Sequence, residues 1–313
     1  MLIDVSTMTH KSKFDLVTVG HFAVDTINLP IVTPARTTLG GPPTYVSVAA
    51  ARLGAEVSVI SKVGGDFSRE HRDWLLSNGV DLSGLKQVER SVTTHFILRY
   101  QAANERKLQL KTRAPRISAM DIPASLQAEA IHVAPIANEL STDTIAKLRK
   151  TTNTLSLDPQ GFVRSFNTWG NMKPRHWAPR STLELIDVYK SSINEMKMVV
   201  GTHEVKQAAR KIQDYGVKVV IATRGLKGST LLIDNAFYNV PASKPQVVVD
   251  PTGAGDAYIG AFLAEYIEGK DPFWCACVGS AMASFVVEGV GPERFGSKQE
   301  TYERAGRIYQ KDI

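Results

Sequence analysis

Short β-branched runs alternate with helical patterns closed by glycine along most of this chain, and that rhythm limits the folds open to it. Asp15-Leu16-Val17-Thr18-Val19-Gly20 reads as a buried strand. Tyr45 to Leu53 has helical spacing and stops at Gly54; Glu56 to Val63 is the next strand, and Arg69 to Asn78 the next helix, closed by Gly79. Further strands are expected at Ala130 to Ala134, Thr154 to Leu157, Met198 to Val200 and Val217 to Thr223, with helices around Thr142 to Lys150 and His203 to Tyr215. Strands alternating with helices bury both faces of a parallel sheet. The expected class is therefore α/β, a central and mostly parallel sheet with helices on both faces.

Two segments break the rhythm. Thr26 to Thr38 is extended and carries prolines, while Thr93 to Tyr100 and Arg106 to Arg113 alternate polar and apolar residues as a hairpin does. Together, over about 26–39 and 93–113, they predict a small projecting β-sheet on a main domain of 14–313. A lid over a cleft and a dimer surface both fit it, so a monomer and a homodimer through the lid stay open. Gly161 to Leu183 shows no period and reads as a long loop, and Met1 to Lys13 as a flexible leader.

Bulk composition excludes several classes. In 313 residues, no apolar run approaches the about 20 residues that span a bilayer, and the start lacks a signal-peptide core, so a cytoplasmic protein is expected. The net charge of +6 is scattered rather than clustered, which disfavours nucleic acid. Cys275 and Cys277 lie in an apolar helical stretch with no partner ligand nearby and read as buried thiols. His10, His71, His95, His132, His176 and His203 have no ligand spacing, and Trp169 and Trp177 read as packing residues. His21 follows the first strand close to Asp25, which leaves a substrate contact open beside a structural role.

The chemistry concentrates at Val247-Val248-Val249-Asp250-Pro251-Thr252-Gly253-Ala254-Gly255-Asp256. A β-branched run, expected as a strand, enters a glycine turn, and a helical pattern leaves it. Such a turn aims backbone N–H groups and a helix N-terminus at one spot, which suits a phosphate. Asp256 inside it could take a proton from a hydroxyl while the turn holds a phosphoryl group. A tight junction without a ligand is the plain alternative. The G-x-G-x-x-G dinucleotide fingerprint fails because Tyr258 stands at the third glycine, late in the chain, and no G-x-x-x-x-G-K-[ST] loop occurs. That weakens a nicotinamide-dependent oxidoreductase.

The segment Asp250 to Phe262 resembles the C-terminal signature of the ribokinase-like (PfkB) carbohydrate kinases. Gly40-Gly41-Pro42-Pro43-Thr44-Tyr45 through Gly54, continuing into Val63-Gly64-Gly65-Asp66, resembles their N-terminal signature. The resemblance runs from Phe14 over nearly the whole chain and implies an ATP- and Mg²⁺-dependent kinase acting on a hydroxyl of a sugar, cyclitol or nucleoside. It implies Asp256 as catalytic base and Gly253, Ala254 and Gly255 as the anion hole. Asp25, Gly40 and Gly41 match its substrate contacts. Thr223, Gly225 and Gly228 resemble its ATP loop, and the helix containing Ser280 its adenine wall. Ser192-Ile193-Asn194-Glu195 aligns with its N-x-x-E magnesium motif, with Ser in place of Asn and Glu195 acting through metal-bound water; Asp250 is a second metal candidate. Tyr45, where the family commonly has Asn, together with Gln160 and Arg164 of the Leu157 to Arg164 segment, resembles the inositol kinase branch and favours a myo-inositol-like polyol. A catalytically silent nucleotide or sugar sensor is the competing class.

Overall fold

The computed structural model describes residues 13–29, 32–100, 106–178, 180–202 and 204–310. The predicted leader, His10, His203 and the tip of the 93–113 hairpin lie outside them. The strand Phe14–Val19 sits in the middle of a ten-stranded sheet, paired in parallel with Val57–Gly64 on one side and Ala128–Val133 on the other. Parallel pairing continues through Thr152–Leu157, Val188–Ser192 and Val219–Thr223. Both faces are covered. One core joins the helices Pro42–Arg52, Ala254–Tyr266 and Pro272–Val286, and the other packs Thr142–Arg149, Ile193–Val200 and Val205–Gln213. The α/β class read from the alternation is the observed one.

Three expectations need correction. Met198 to Val200 is the last turn of the helix Ile193–Val200, and the strand is Val188–Ser192. A short apolar run does not separate helix from strand by periodicity. Here Ser192 caps the helix, accepting from the Glu195 N–H, while Glu195 accepts from the Ser192 N–H at 3.0 Å. Val247 to Val249 forms no strand; Val247 and Val248 are exposed, and the segment runs as irregular chain into the turn. Gly161 to Leu183 is not all loop, since Arg164–Phe166 pairs antiparallel with Met172–Pro174 and Arg180–Leu183 is a helical turn. Trp177 stacks on Phe162 at 4.4 Å as a packing residue, but Trp169 is 75% exposed. An antiparallel meander at the sheet edge, Ser229–Ile233 and Ala236–Val240, was not foreseen.

The small sheet is present. Ala23–Leu29 pairs antiparallel with Val32–Gly40 and in parallel with Thr94–Tyr100, which pairs antiparallel with Arg106–Thr112. It begins at Ala23, earlier than the pattern suggested. The 164–174 ribbon is tied to it: Leu110 donates its N–H to the Gly170 carbonyl at 2.8 Å, and Gln109 Nε2 donates to the Trp169 carbonyl at 2.9 Å. Cys275 and Cys277 are both buried. Among the described residues, no helix is long and apolar enough to cross a membrane.

Candidate active site

The parallel strands end on one side of the sheet, where α/β folds place their ligands. There a cavity of about 60 Å³, open to solvent, is bounded by Asp25, Tyr45, Gln160, Arg164, Gly253 and Asp256. Most residues proposed from sequence for the acceptor and the phosphoryl group thus meet in one place.

The glycine turn is built by Asp250. Its buried carboxylate accepts from the Thr252 N–H (2.9 Å) and hydroxyl (2.6 Å) through one oxygen, and from the Gly291 N–H (3.0 Å) through the other. Three donors on a buried carboxylate describe a turn organiser. Gly253 then caps the helix Ala254–Tyr266 with φ +76°, a left-handed conformation that L side chains rarely adopt. A Cβ there would lie 2.3 Å from the Tyr45 ring. The ring therefore lies against the turn. Asp256, in the first helical turn, accepts a hydrogen bond from Gln160 Nε2 at 3.2 Å.

On the opposite wall, Gly41 has φ +84° and caps the helix Pro42–Arg52, whose first residue is proline. A Cβ on Gly40 would fall 1.9 Å from Asp25 Oδ2, so that glycine makes room for the carboxylate. Tyr45 is 1% exposed, and its hydroxyl meets no donor or acceptor among the described residues. Burial, then the nearby Asp25, Asp250 and Asp256 charges, hold its proton on far above the usual phenol range. It is a neutral donor at the cavity wall. The small sheet contributes one face: Ala23 and Asp25, Phe96 and Leu98, and Leu108 line the cavity, as alternation along strands requires. Tyr100 hydroxyl meets Thr252 Oγ1 at 2.7 Å, joining that sheet to the glycine turn.

Arg164 lies 3.4 Å from Glu195 Oε1. Burial works to raise Glu195, but Arg164, Lys190 and Ser192 outweigh it and hold the carboxyl below its ordinary range. Thr223 pairs with Ser192 across the strand ends, and a Cβ on Gly225 would meet no other atom of the described residues within 4 Å. Ser280 accepts from the Ser243 N–H at 2.8 Å and donates to the Pro241 carbonyl at 3.0 Å, pinning the Pro272–Val286 helix to the segment after the meander. His21 is fully buried, bonded to Thr94 Oγ1 and the Pro115 carbonyl, so its role is structural and the open substrate contact falls away.

A family model described as pfkB family carbohydrate kinase matches residues 13–298. The chain belongs to the pfkB family. This pfkB kinase is a phosphotransferase acting on an alcohol group. It is 31% identical over 284 residues to a cytidine kinase of Thermococcus kodakarensis, covering 88% of this chain and 96% of that one. It is 30% identical over 291 residues to a nucleoside kinase of Methanocaldococcus jannaschii, covering 87% and 90%. A pyrophosphate-dependent kinase of the ribokinase family, solved with a pyrophosphate analogue and myo-inositol, superposes with TM-score 0.77 at 24% identity over 91% of this chain and 98% of that one. That likeness bears on the fold.

Sequence reasoning missed the apolar residues Phe96, Leu98, Leu108 and Ile136 at the cavity, the Tyr100–Thr252 contact, and the pair Asp158–Lys190 beneath the turn. The alternation of 93–113 carried the first signal. A lysine inside the strand Val188–Ser192 carried the last.

Proposed function

We propose that this kinase transfers the γ-phosphoryl group of ATP to a ribose hydroxyl of a nucleoside. The observation that carries it is the two-sided cavity. Asp25, Gln160, Arg164 and Asp256 form a polar wall, while Ala23, Phe96, Leu98, Leu108 and Ile136 form an apolar one. A cyclitol bears hydroxyls around its whole ring and would leave some unpaired against the apolar wall, at about 1–3 kcal/mol each. A nucleoside divides as the cavity does, its ribose toward the carboxylates and its base toward Phe96. The naming of two relatives as cytidine and nucleoside kinases points the same way. A myo-inositol-like polyol is the second reading, favoured by Tyr45, Gln160 and Arg164 standing together.

In the reaction, the acceptor oxygen bonds to the γ-phosphorus, the bond to the ADP bridging oxygen breaks, and the hydroxyl proton passes to Asp256. A carboxylate with a reference pKa near ~3.9 is a weak base, but a loose transition state lets the proton leave late. Ala254 donates its N–H to the Pro251 carbonyl at 3.3 Å, so of the three turn residues Gly253 and Gly255 are the ones whose N–H groups would meet the charge that develops on the phosphoryl oxygens. Bound magnesium would supply further charge neutralisation on the triphosphate. Among the described residues no cluster of three metal-ligating side chains exists, so Glu195 fits as an outer holder of a hydrated ion better than as part of a cage. The small sheet covers the acceptor and keeps water from it.

The test is a panel of nucleosides, pentoses, hexoses and cyclitols assayed for ADP release, with the product position identified. A nucleoside should show the highest kcat/KM. Turnover of cyclitols alone would overturn the nucleoside reading. Asp256→Asn should lower kcat by a factor of about 10³ or more while ATP binding persists; near-normal turnover would remove Asp256 as base.

A further inference from the structure

Lys190, in the strand Val188–Ser192, is a cation that neither motif contains, and the turn is shaped around it. It lies mid-strand in Val188–Ser192, only 4% exposed, with Nζ 2.6 Å from Asp158 Oδ2. A Cβ on Gly255 would stand 2.8 Å from that ammonium. Gly255 does not have the positive φ of Gly253, and it occupies the second position of the helix Ala254–Tyr266. Any residue could adopt its backbone there. Glycine serves at that site because the space of a side chain is taken by the lysine head.

We infer that Lys190 supplies a fixed positive charge to the floor of the phosphoryl site, reaching it through the gap that Gly255 leaves. Burying an ion pair is a poor way to stabilise a fold, since well-packed apolar residues of similar size do as well or better. A pair oriented with its ammonium end toward a helix N-terminus turns the positive end of its dipole to an anion above it, as the helix itself does. Asp158 holds the lysine in position and also accepts from the Gln160 N–H at 3.1 Å, so one carboxylate orients both the cation and the residue that reaches Asp256. Burial raises the Asp158 carboxyl, while Asp158, Asp256 and Glu195 outweigh burial to keep Lys190 protonated. The cation is held by Asp158 on one side, and the incoming phosphoryl oxygens would approach it from the side that Gly255 leaves open.

The inference rests on the glycine turn being the phosphoryl site, and not on the acceptor. Lys190→Met alone leaves Asp158 buried without its partner and is expected to lower stability. The double variant Lys190→Met/Asp158→Asn removes both charges and separates the two roles. Its thermal midpoint should return to within a few degrees of wild type, while kcat on the best acceptor stays about 10²–10³-fold lower, the usual effect of losing one transition-state donor. Its ATP dissociation constant, measured by calorimetry without any acceptor, should rise about tenfold. A double variant with wild-type kcat and wild-type ATP affinity would show that Lys190 only balances Asp158. The ATP measurement stands even if nucleosides prove inert, so failure of the acceptor reading is seen separately.

Discussion

Tyr45→Phe should make this enzyme more stable and less able to hold its acceptor. The phenol is buried, its ring lies on Gly253, and its hydroxyl has no protein partner among the described residues. An unsatisfied buried hydroxyl costs about 1–3 kcal/mol, and deleting one oxygen leaves only a small void. Taking the lower end, the gain is about 1 kcal/mol, which raises the thermal midpoint of a chain this long by roughly 2 °C. The acceptor loses one neutral hydrogen bond worth about 0.5–1.5 kcal/mol, so its kcat/KM falls roughly 2- to 12-fold. Scanning calorimetry on the free enzyme and initial rates against acceptor concentration read the two effects. A lower midpoint together with unchanged acceptor kinetics would show that the hydroxyl serves the fold, and the argument from its orphaned state would fail.

Two glycine substitutions should part company. Gly40→Ala drives a Cβ into the buried Asp25 carboxyl group, so that carboxylate must shift, acceptor KM should rise at least about tenfold, and the fold should lose about 1–3 kcal/mol without a backbone penalty. Gly253→Ala forces a left-handed alanine against the Tyr45 ring, at about 1–2 kcal/mol for the backbone and a further 1–3 for the clash, so urea unfolding should register it and turnover should collapse. His132 predicts an acid limb. It is fully buried in the Ala128–Val133 strand, bonded through Nδ1 to Ser156 Oγ at 2.9 Å, and burial, aided by Lys190, pushes it down to about 3. The unfolded chain binds that proton near pH 6.5, so stability is complete above 6.5 and falls by about 1.4 kcal/mol per pH unit on the way down to about 3. Urea midpoints between pH 4.5 and 7.5 should show this slope, and His132→Gln should flatten it.

The frame of the molecule was legible because buried parallel strands and glycine-closed helices leave strong local patterns. Phe14–Val19, Val57–Gly64 and Thr152–Leu157 all appear within a few residues of their expected places. The errors share a cause. Lys190 inside Val188–Ser192 breaks the apolar run a buried strand should show, so the neighbouring Met198 to Val200 took its place in the reading. The Ser at position 192 that departs from the family motif has a local reason, since it caps the helix that Glu195 closes. Motif residues such as Asp25, Gln160 and Asp256 were findable because their chemistry is written in residue type. Phe96, Leu98, Leu108 and Ile136 were not, because an apolar residue facing a cavity reads the same as one facing a core.

The ribbon that carries Arg164 is fastened to the small sheet through Gly170 and Trp169, and that sheet is fastened to the glycine turn through Tyr100. Anyone redesigning this enzyme for a different alcohol would start with Phe96 or Leu108. A change there shifts the strand that holds the ribbon, and with it the guanidinium facing Glu195 on the donor side. On the proposed reading, choice of alcohol and handling of the triphosphate would be mechanically geared together through this ribbon. Substitutions that broaden acceptor range should be screened for ATP affinity from the first round.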